Sequence, residues 1–186
     1  RLLRNEQADE ETASLLRSAQ VTQRPQDIIP GLLHELRDAL GERTNPPPVL
    51  VLATMELIFS VRPVEADDLI LLEYLGEAFP RNVRVMRWQA RALAANGEDK
   101  RAAELYGSLV DESTPDDEVV VELARTHARL GMRSKQHLRI AERAVEVCPD
   151  DPGLLLHLAG IELDIGHVAT ASFHLDHVLK AAPDMH

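Results

Sequence analysis

Proline recurs in this chain at nearly constant intervals. Pro80, Pro115, Pro149 and Pro183 are separated by 35, 34 and 34 residues. Each proline closes a stretch whose apolar residues follow the spacing of two short amphipathic helices. A fixed period of this length is typical of stacked helical hairpins. Such a chain presents a surface and does not enclose a reaction chamber, so the period favours a binding function.

Glycine and alanine keep the same period. A glycine lies 17 or 18 residues before each of the last three prolines, and an alanine lies seven residues before each glycine: Gly97, Gly131 and Gly166, with Ala90, Ala124 and Ala159. Glycine adopts the left-handed conformation that ends a helix, and proline then stops the second helix. Alanine lets two helices approach closely. We therefore expect two helices in each period, joined at the glycine.

Nine residues after each glycine stands a large apolar residue: Tyr106, Ile140 and Leu175. Small residues at helix crossings, bulky residues between them and a terminal proline make this pattern resemble the tetratricopeptide repeat (TPR) family. The resemblance implies an all-α fold, a right-handed α-solenoid of about four to five antiparallel helical hairpins. It also implies a function in protein binding.

We expect four repeats, at about residues 48–80, 82–115, 117–149 and 152–183, after a degenerate hairpin or cap over residues 1–45, with residues 46–186 in a single continuous domain. The first repeat departs from the pattern, since Pro63 replaces the glycine and Glu56 the alanine. In the third repeat Gln136 and His137 stand where alanine is expected, so the second helix slips by one residue.

Residues 49–61 form a helix that is apolar almost all round, and such a helix must be covered. We expect the N-terminal hairpin to cover it through four leucines: Leu15, Leu16, Leu32 and Leu36. The alternatives are a partner helix or a second copy of the chain. A homodimer through this hairpin, or through the last helix, is thus left open.

Composition limits the classes of partner. The chain has 31 acidic and 20 basic residues and a net charge of -11, which opposes binding to nucleic acid or to an anionic membrane. The longest apolar run, residues 49–61, is too short to span a bilayer. No secretory signal is visible. Because the chain begins at Arg1, we expect a processed protein or a piece of a longer one, and the compartment, cytoplasmic or bacterial periplasmic, stays open.

In TPR-like folds the first helix of each hairpin lines the concave face, so the resemblance places ligand contacts there. Arg84, Arg87 and Arg91 share one stripe of such a helix, and Arg125 and Arg129 share a stripe of the next. We expect a partner-binding groove of Arg84, Arg87, Trp88, Arg91, Glu122, Arg125, Arg129 and His157. Guanidinium groups suit carboxylates, which predicts an acidic or C-terminal peptide segment as ligand.

Two alternatives stand beside this prediction. The arginine face could be a solvated surface that its own acids neutralise, among them Glu118 and Glu122. Trp88 could pack against a neighbouring hairpin and not anchor a ligand. The Lys/Asn set with which some relatives of the family clamp chaperone tails is absent from these helices, so we do not expect a chaperone-tail adaptor.

Catalytic motifs are missing from the sequence. It has no Gly-rich phosphate loop, HExxH motif, paired-cysteine motif or nucleophile elbow, and we predict neither enzymatic activity nor a cofactor. His174 and His177 could offer two imidazoles to a metal, but no third ligand is in register, so we predict no metal site. Two acidic pairs, Asp116/Asp117 and Asp150/Asp151, follow hairpin ends and are better assigned to stabilising the next helix N-terminus, through its dipole and caps, than to catalysis. The single cysteine, Cys148, forms no intramolecular disulfide, and we expect a buried structural thiol.

These observations predict a protein–protein interaction scaffold that binds a protein or peptide partner. One alternative is a structural or docking segment of a larger bacterial envelope export, pilus or exopolysaccharide assembly. Another is a regulatory domain appended to an enzyme.

Overall fold

The computed structural model of this chain describes residues 25–41, 46–112 and 116–181. The first predicted helix with Leu15 and Leu16 lies outside the described residues, as do Pro115 and Pro183. Every regular element in the described ranges is helical. The predicted all-α fold class is therefore confirmed.

Nine α-helices follow one another in the described ranges: α1 (Pro25–Gly41), α2 (Pro48–Val61), α3 (Leu69–Ala78), α4 (Val83–Ala95), α5 (Asp99–Glu112), α6 (Asp117–Arg129), α7 (Lys135–Val147), α8 (Pro152–Asp164) and α9 (Val168–Ala181). A short 3-10 helix, Ala66–Asp68, precedes α3. None of the described helices is both long and apolar enough to cross a bilayer. Each of the four expected repeat ranges holds one pair of helices.

The chain divides into two compact units, which we call unit 1 (residues 1–92) and unit 2 (residues 93–186). The boundary lies inside α4, between Ala92 and Leu93. That residues 46–186 form a single continuous domain stays a prediction.

In unit 1, prolines determine both ends of α2, which begins at Pro48 and ends at Val61, two residues before Pro63. Pro48 occupies the first helical turn, where its missing N–H costs nothing. At the other end Arg62 is extended, with φ -144° and ψ 156°, because a residue that precedes proline avoids the helical conformation. Pro63 thus ends this helix by a different mechanism from the glycine that it replaces.

One side of α2 is buried by neighbouring helices of the same unit. Val51, Met55 and Ile58 have no exposed surface. They share one core with three residues of α3, Leu71, Leu72 and Leu75, and with three of α1, Ile29, Leu33 and Leu36. The expected covering by the N-terminal hairpin is confirmed for Leu36, while the side chain of Leu32 lies outside the described residues.

Three glycines end the first helices of the later hairpins. The φ angle is 78° at Gly97, 65° at Gly131 and 84° at Gly166. After each glycine, the next backbone N–H donates to a carbonyl five residues upstream, at 2.8, 3.0 and 2.7 Å. This is the hydrogen-bond pattern of the Schellman motif. The predicted left-handed turns are confirmed.

The predicted crossing alanines, Ala90, Ala124 and Ala159, are fully buried. In unit 2, α6 packs against α5 and α7, and α8 packs against α7 and α9. The first helices of the last two hairpins, α6 and α8, also pack on each other. Their outward residues therefore belong to one surface of unit 2.

The expected register slip is present in α7. This helix begins at Lys135, four residues after Gly131, whereas α5 begins two residues after Gly97. Gln136 is consequently exposed and His137, only 8% exposed, takes the buried position. Its Nδ1 lies 2.9 Å from the Oγ of Ser134, the capping residue of α7. The slip thus places an imidazole in the interior of unit 2.

Candidate functional site

The arginine stripe of α4 lies in unit 1. Asn82 precedes this helix, and its Oδ1 accepts hydrogen bonds from the backbone N–H groups of Arg84 (3.0 Å) and Val85 (3.2 Å). Arg84 is exposed and forms an ion pair with Glu56 of α2. Arg87 and Arg91 are half-buried. As predicted, the three arginines share one side of the helix, at positions i, i+3 and i+7.

Trp88 does not belong to the exposed surface of α4. Its side chain is 7% exposed and lies in the core of unit 1. The Phe59 ring meets it edge to face, with 4.9 Å between the ring centroids. The prediction that Trp88 anchors a ligand is corrected, because Trp88 is one position beyond Arg87 and therefore faces α2. The alternative, packing against a neighbouring hairpin, is what the structure shows.

Arg125 of α6 connects two hairpins of unit 2. Its Nη1 lies 2.8 Å from Oε1 of Glu122, and its Nη2 lies 2.8 Å from Oδ2 of Asp151. Asp151 also caps α8, since its Oδ1 accepts the N–H groups of Gly153 (2.9 Å) and Leu154 (3.2 Å). The guanidinium is therefore held by carboxylates of the chain itself.

The pKa values reflect this arrangement. The hydrogen bond with Asp151 is the largest cause that raises the pKa of Arg125. Burial alone would raise the pKa of Asp151, but its hydrogen bonds with Arg125 and with the start of α8 outweigh burial, so the pKa lies below its ordinary value. Both groups are thus stabilised in their charged forms.

Arg129 pairs with a residue of the preceding hairpin, whereas Arg125 pairs with a residue of the following one. Its guanidinium lies 2.7 Å from Oδ1 of Asp99, at the start of α5, and Nη2 also donates to the hydroxyl of Thr126 at 3.1 Å. Arg125 and Arg129 therefore form one charged stripe of unit 2, and carboxylates of the same chain neutralise both arginines. For these two arginines, the alternative of an acid-neutralised face describes the structure better than a row of available cations.

His157 was expected on the lining of the groove, but it is only 4% exposed. It lies on the buried side of α8, as Trp88 does on α4, because both stand two residues before the crossing alanine. Its Nε2 has no hydrogen-bond partner among the described residues. We therefore remove His157 from the predicted contact surface.

Two further histidines, His127 of α6 and His137 of α7, lie near His157 in the interior. The rings of His127 and His137 meet edge to face at 4.7 Å. Nδ1 of His127 also lacks a hydrogen-bond partner among the described residues. Neither histidine was singled out as buried by its spacing in the sequence, because the slip of α7 creates the contact.

Burial favours the neutral form of all three rings. It lowers the pKa of His127 from 6.5 to about 4, with further contributions from His137 and His157. Burial also lowers the pKa of His137. For His157, burial and then the charges of Arg133 and His137 lower the pKa. The cluster is therefore a neutral, acid-sensitive part of the core.

The outward side of α8 is apolar. Leu156 and Leu163 are 43% and 47% exposed, and they stand seven residues apart, on one stripe of the helix. Arg133, from the turn after α6, reaches this stripe: a Cβ added at Gly160 would lie 3.0 Å from its Nε. The sequence contains a signal for this surface, two leucines at i and i+7 around a glycine, but a prediction based on charged residues does not include it.

His174 and His177 contact two different carboxylates. Nδ1 of His174 lies 2.8 Å from Oε2 of the buried Glu162, and Nε2 of His177 lies 3.4 Å from Oδ1 of Asp150. Among the described residues, no three His, Cys, Asp or Glu side chains are arranged to hold a metal ion. Cys148 is half-buried at the end of α7 and is a free thiol.

Unit 1 contains a cleft of about 390 Å³, lined by Ile29, Pro30, Leu33, Arg37, Val61, Arg62, Glu65 and Asp67. Arg62 binds the fully buried Asp68 through two hydrogen bonds of 2.7 and 2.9 Å. Arg37 donates to the backbone carbonyl of Asp67 at 2.6 Å. The charged groups of this cleft thus join α1 and α2 to the start of α3, which is a structural role.

Comparison with protein-family models finds no match for this sequence. Comparison with curated proteins finds none either.

Solved structures do resemble the chain. A crystal structure of the MamA protein has 11% identity and a TM-score of 0.65, with 94% of this chain and 93% of that chain covered. The MamA RS-1 ArsTM double mutant has 13% identity and a TM-score of 0.61, with 94% of each chain covered. YrrB, described as a TPR protein with an unusual peptide-binding site, has 14% identity and a TM-score of 0.54, with 92% and 93% covered.

MamA and YrrB are both TPR proteins. Identities this low show a shared fold, and the helical pairs and glycine turns described above agree with it. This chain therefore has a TPR-like fold, as the period of its prolines, glycines and alanines predicted.

Proposed function

We propose that this chain is a protein-interaction scaffold, and that α4 binds an acidic segment of its partner. The observation that carries the proposal is the charge of this helix. Val83–Ala95 contains three arginines and no acidic residue, in a chain whose net charge is -11. A local row of positive charge on an acidic protein attracts an acidic partner segment specifically to this place.

The spacing of the arginines suits such a segment. From Arg84 to Arg91 the helix rises about 10 Å, which is roughly three residues of an extended peptide. Arg84 is exposed and its ion pair with Glu56 joins two surface groups, so an incoming carboxylate can compete for the guanidinium. Guanidinium groups hold carboxylates in two-point contacts.

The arginines of unit 2 have a different role in this proposal. Arg125 and Arg129 already contact Asp151 and Asp99, and we assign them to the attachment of neighbouring hairpins. The acidic ligand predicted for the whole stripe is assigned to Arg84, Arg87 and Arg91, because their helix contains no acidic residue whereas α6 contains three.

A binding role is also proposed over a catalytic one. A nucleophile or general acid needs a partner group that activates it. The perturbed groups described above are neutral core histidines or members of structural ion pairs, and they do not converge on one cleft. The TPR-like fold supports the same conclusion, since such folds commonly serve as scaffolds.

The proposal is tested with a fluorescent eight-residue glutamate peptide and its glutamine counterpart. We expect the chain to bind the glutamate peptide, and the double reversal Arg84→Glu/Arg91→Glu to weaken this binding at least tenfold. Arg101→Glu/Arg139→Glu is the matched control, because it removes the same charge from two exposed residues of second helices. Circular dichroism verifies that both variants stay helical. Equal loss of binding in the two variants, or none in either, would contradict the assignment to α4.

A further inference from the structure

We propose that the outward side of α8, together with Arg133, is a second contact site, which takes an extended partner segment with one carboxylate between two large apolar side chains. The site consists of Leu156, Gly160, Leu163 and Arg133, and we call it the α8 site. It rests on the scaffold role proposed above, but it lies in unit 2 and uses none of the residues of α4.

The two leucines define where apolar side chains would bind. Leu155, Leu158 and Ile161 of the same helix are almost completely buried, at 1%, 2% and 0% exposed. Leu156 and Leu163 instead keep nearly half of their surface in solvent. They are about 10 Å apart along the helix axis. Burial of this exposed surface by a ligand is favourable.

Arg133 defines where a carboxylate would bind. Its side chain lies against Gly160, which is between the two leucines along α8. A Cβ at position 160 would come within 3.0 Å of Nε and 3.2 Å of Cζ of Arg133. A side chain at position 160 would therefore displace the guanidinium from its present place by a few tenths of an ångström.

Among the described residues, Arg133 has no carboxylate partner. Four other arginines of unit 2 each have a carboxylate at 2.7 to 2.9 Å: Arg101, Arg125, Arg129 and Arg143. Arg133 forms no ion pair with any residue that the structure describes. In a protein of net charge -11, an arginine held on an apolar surface without a carboxylate offers charge complementarity to a ligand that brings one.

Arg133 also lies near the buried histidines of unit 2. Burial lowers the pKa of His157, and the charge of Arg133 is the next cause. The guanidinium therefore lies close enough to the core for its field to act on a buried ring.

The distance between Leu156 and Leu163 determines how the side chains of a peptide ligand must be spaced. In an extended peptide, side chains at positions i, i+2 and i+4 point to the same face, and i and i+4 are about 13 Å apart. Apolar side chains at i and i+4 therefore reach the two leucines, because the flexible leucine side chains cover the difference from the roughly 10 Å rise between them. A carboxylate on a residue between them meets Arg133. The site offers one guanidinium between two apolar side chains, so one carboxylate in an apolar context fits it better than an acidic run.

The test uses a fluorescent eight-residue peptide with leucine at its third and seventh positions, aspartate at its fifth, and serine or glycine elsewhere, so that the three side chains share one face of an extended peptide. A second peptide has asparagine in place of the aspartate. We expect the chain to bind the aspartate peptide at least five times more tightly than the asparagine peptide, as measured by fluorescence anisotropy.

Three variants separate the contribution of the two leucines to peptide binding from that of Arg133. Leu156→Ser/Leu163→Ser should lose both peptides, because it removes the apolar contacts. Arg133→Gln should bind both peptides equally, because it removes only the charge. Arg139→Gln, an exposed arginine of α7 that likewise forms no ion pair with a described residue, should behave as the unchanged chain. The substituted side chains are all exposed, and circular dichroism verifies the fold.

The α8 site is refuted if the leucine variant still binds the aspartate peptide, if Arg133→Gln keeps the preference for aspartate, or if neither peptide binds at millimolar concentration. The variant Arg84→Glu/Arg91→Glu, in unit 1, should bind the aspartate peptide normally. If the glutamate peptide fails to bind in the earlier experiment, the α4 proposal is rejected and the α8 site is unaffected. If the aspartate peptide fails to bind here, the α8 site is rejected and the α4 proposal is unaffected.

Discussion

Arg125 of α6 lies 2.8 Å from Asp151, the residue that caps the N-terminus of α8. One carboxylate thus closes the start of a helix with one oxygen and holds the preceding hairpin with the other. The pair connects residues 26 positions apart in the chain, and it neutralises an arginine that the sequence alone presented as a ligand contact.

This connection predicts a measurable coupling between the two residues. Asp151→Ala removes both the cap and the ion pair, and we expect it to lower the free energy of unfolding by about 1–2 kcal/mol. Arg125→Ala should cost less, about 0.5 kcal/mol, because the pair is partly exposed and screened by solvent. Urea denaturation of the two single variants and the double variant gives the coupling energy. Strict additivity of the two changes would show that the contact contributes nothing.

The buried histidines predict that acid destabilises the chain. The pKa of His127 is lowered to about 4 in the folded protein, from 6.5 in the unfolded chain. The stabilising effect of a neutral ring is therefore complete above pH 6.5 and is lost as the pH falls towards 4. From these two values, His127 alone should make the protein about 2 kcal/mol less stable at pH 5 than at pH 8.

Urea denaturation across this pH range measures the effect. His127→Phe should reduce the loss of stability between pH 8 and pH 5, because the ring that must remain unprotonated is gone. His34→Gln, at an exposed position of α1, should leave the loss unchanged and serves as the control. If the Phe variant lost as much stability in acid as the parent chain, His127 would not be the responsible group.

The glycine turns predict opposite effects for two glycine-to-alanine changes in unit 2. Gly131 has a φ of 65°, which an L-residue with a Cβ adopts at a cost of about 1 kcal/mol. Gly107 lies inside α5, where alanine is the better helix former by about 1 kcal/mol. A Cβ would meet no atom within 4 Å at either position. We expect Gly131→Ala to lower and Gly107→Ala to raise the midpoint of thermal unfolding relative to the parent chain. Any other order of the midpoints of the parent and the two variants would contradict the turn assignment.

The only tryptophan of the chain should report on the core of unit 1. Trp88 is 7% exposed and contacts the ring of Phe59, so we expect blue-shifted fluorescence in the folded state. Trp88→Ala should cost about 3–5 kcal/mol, as truncation of a buried aromatic residue does, while Trp88→Phe should cost much less. Emission typical of a solvated indole in the native protein would restore Trp88 as a candidate ligand contact.

The features that the sequence by itself determined are local or periodic. Gly131 fixes a left-handed turn through the conformations that its own backbone can adopt, and Ala124 marks a helix crossing because only a small side chain fits there. Both act over a few residues, so a fixed spacing is enough to recognise them. Asp116 and Asp151 likewise cap the helices that directly follow them, as their positions predicted.

Only the tertiary structure decided which side chains remain available to a partner. Arg125 is neutralised by Asp151, Trp88 is covered by Phe59, and Arg133 rests on Gly160. Each of these contacts joins residues about 26 to 29 positions apart, on different hairpins or helices. They depend on the angles at which helices cross and on the one-residue slip of α7, because a small rotation of a helix exchanges a buried side chain for an exposed one. The period of the sequence carries no record of those angles, so it predicts the TPR-like fold but leaves the binding surface to the packing of the hairpins.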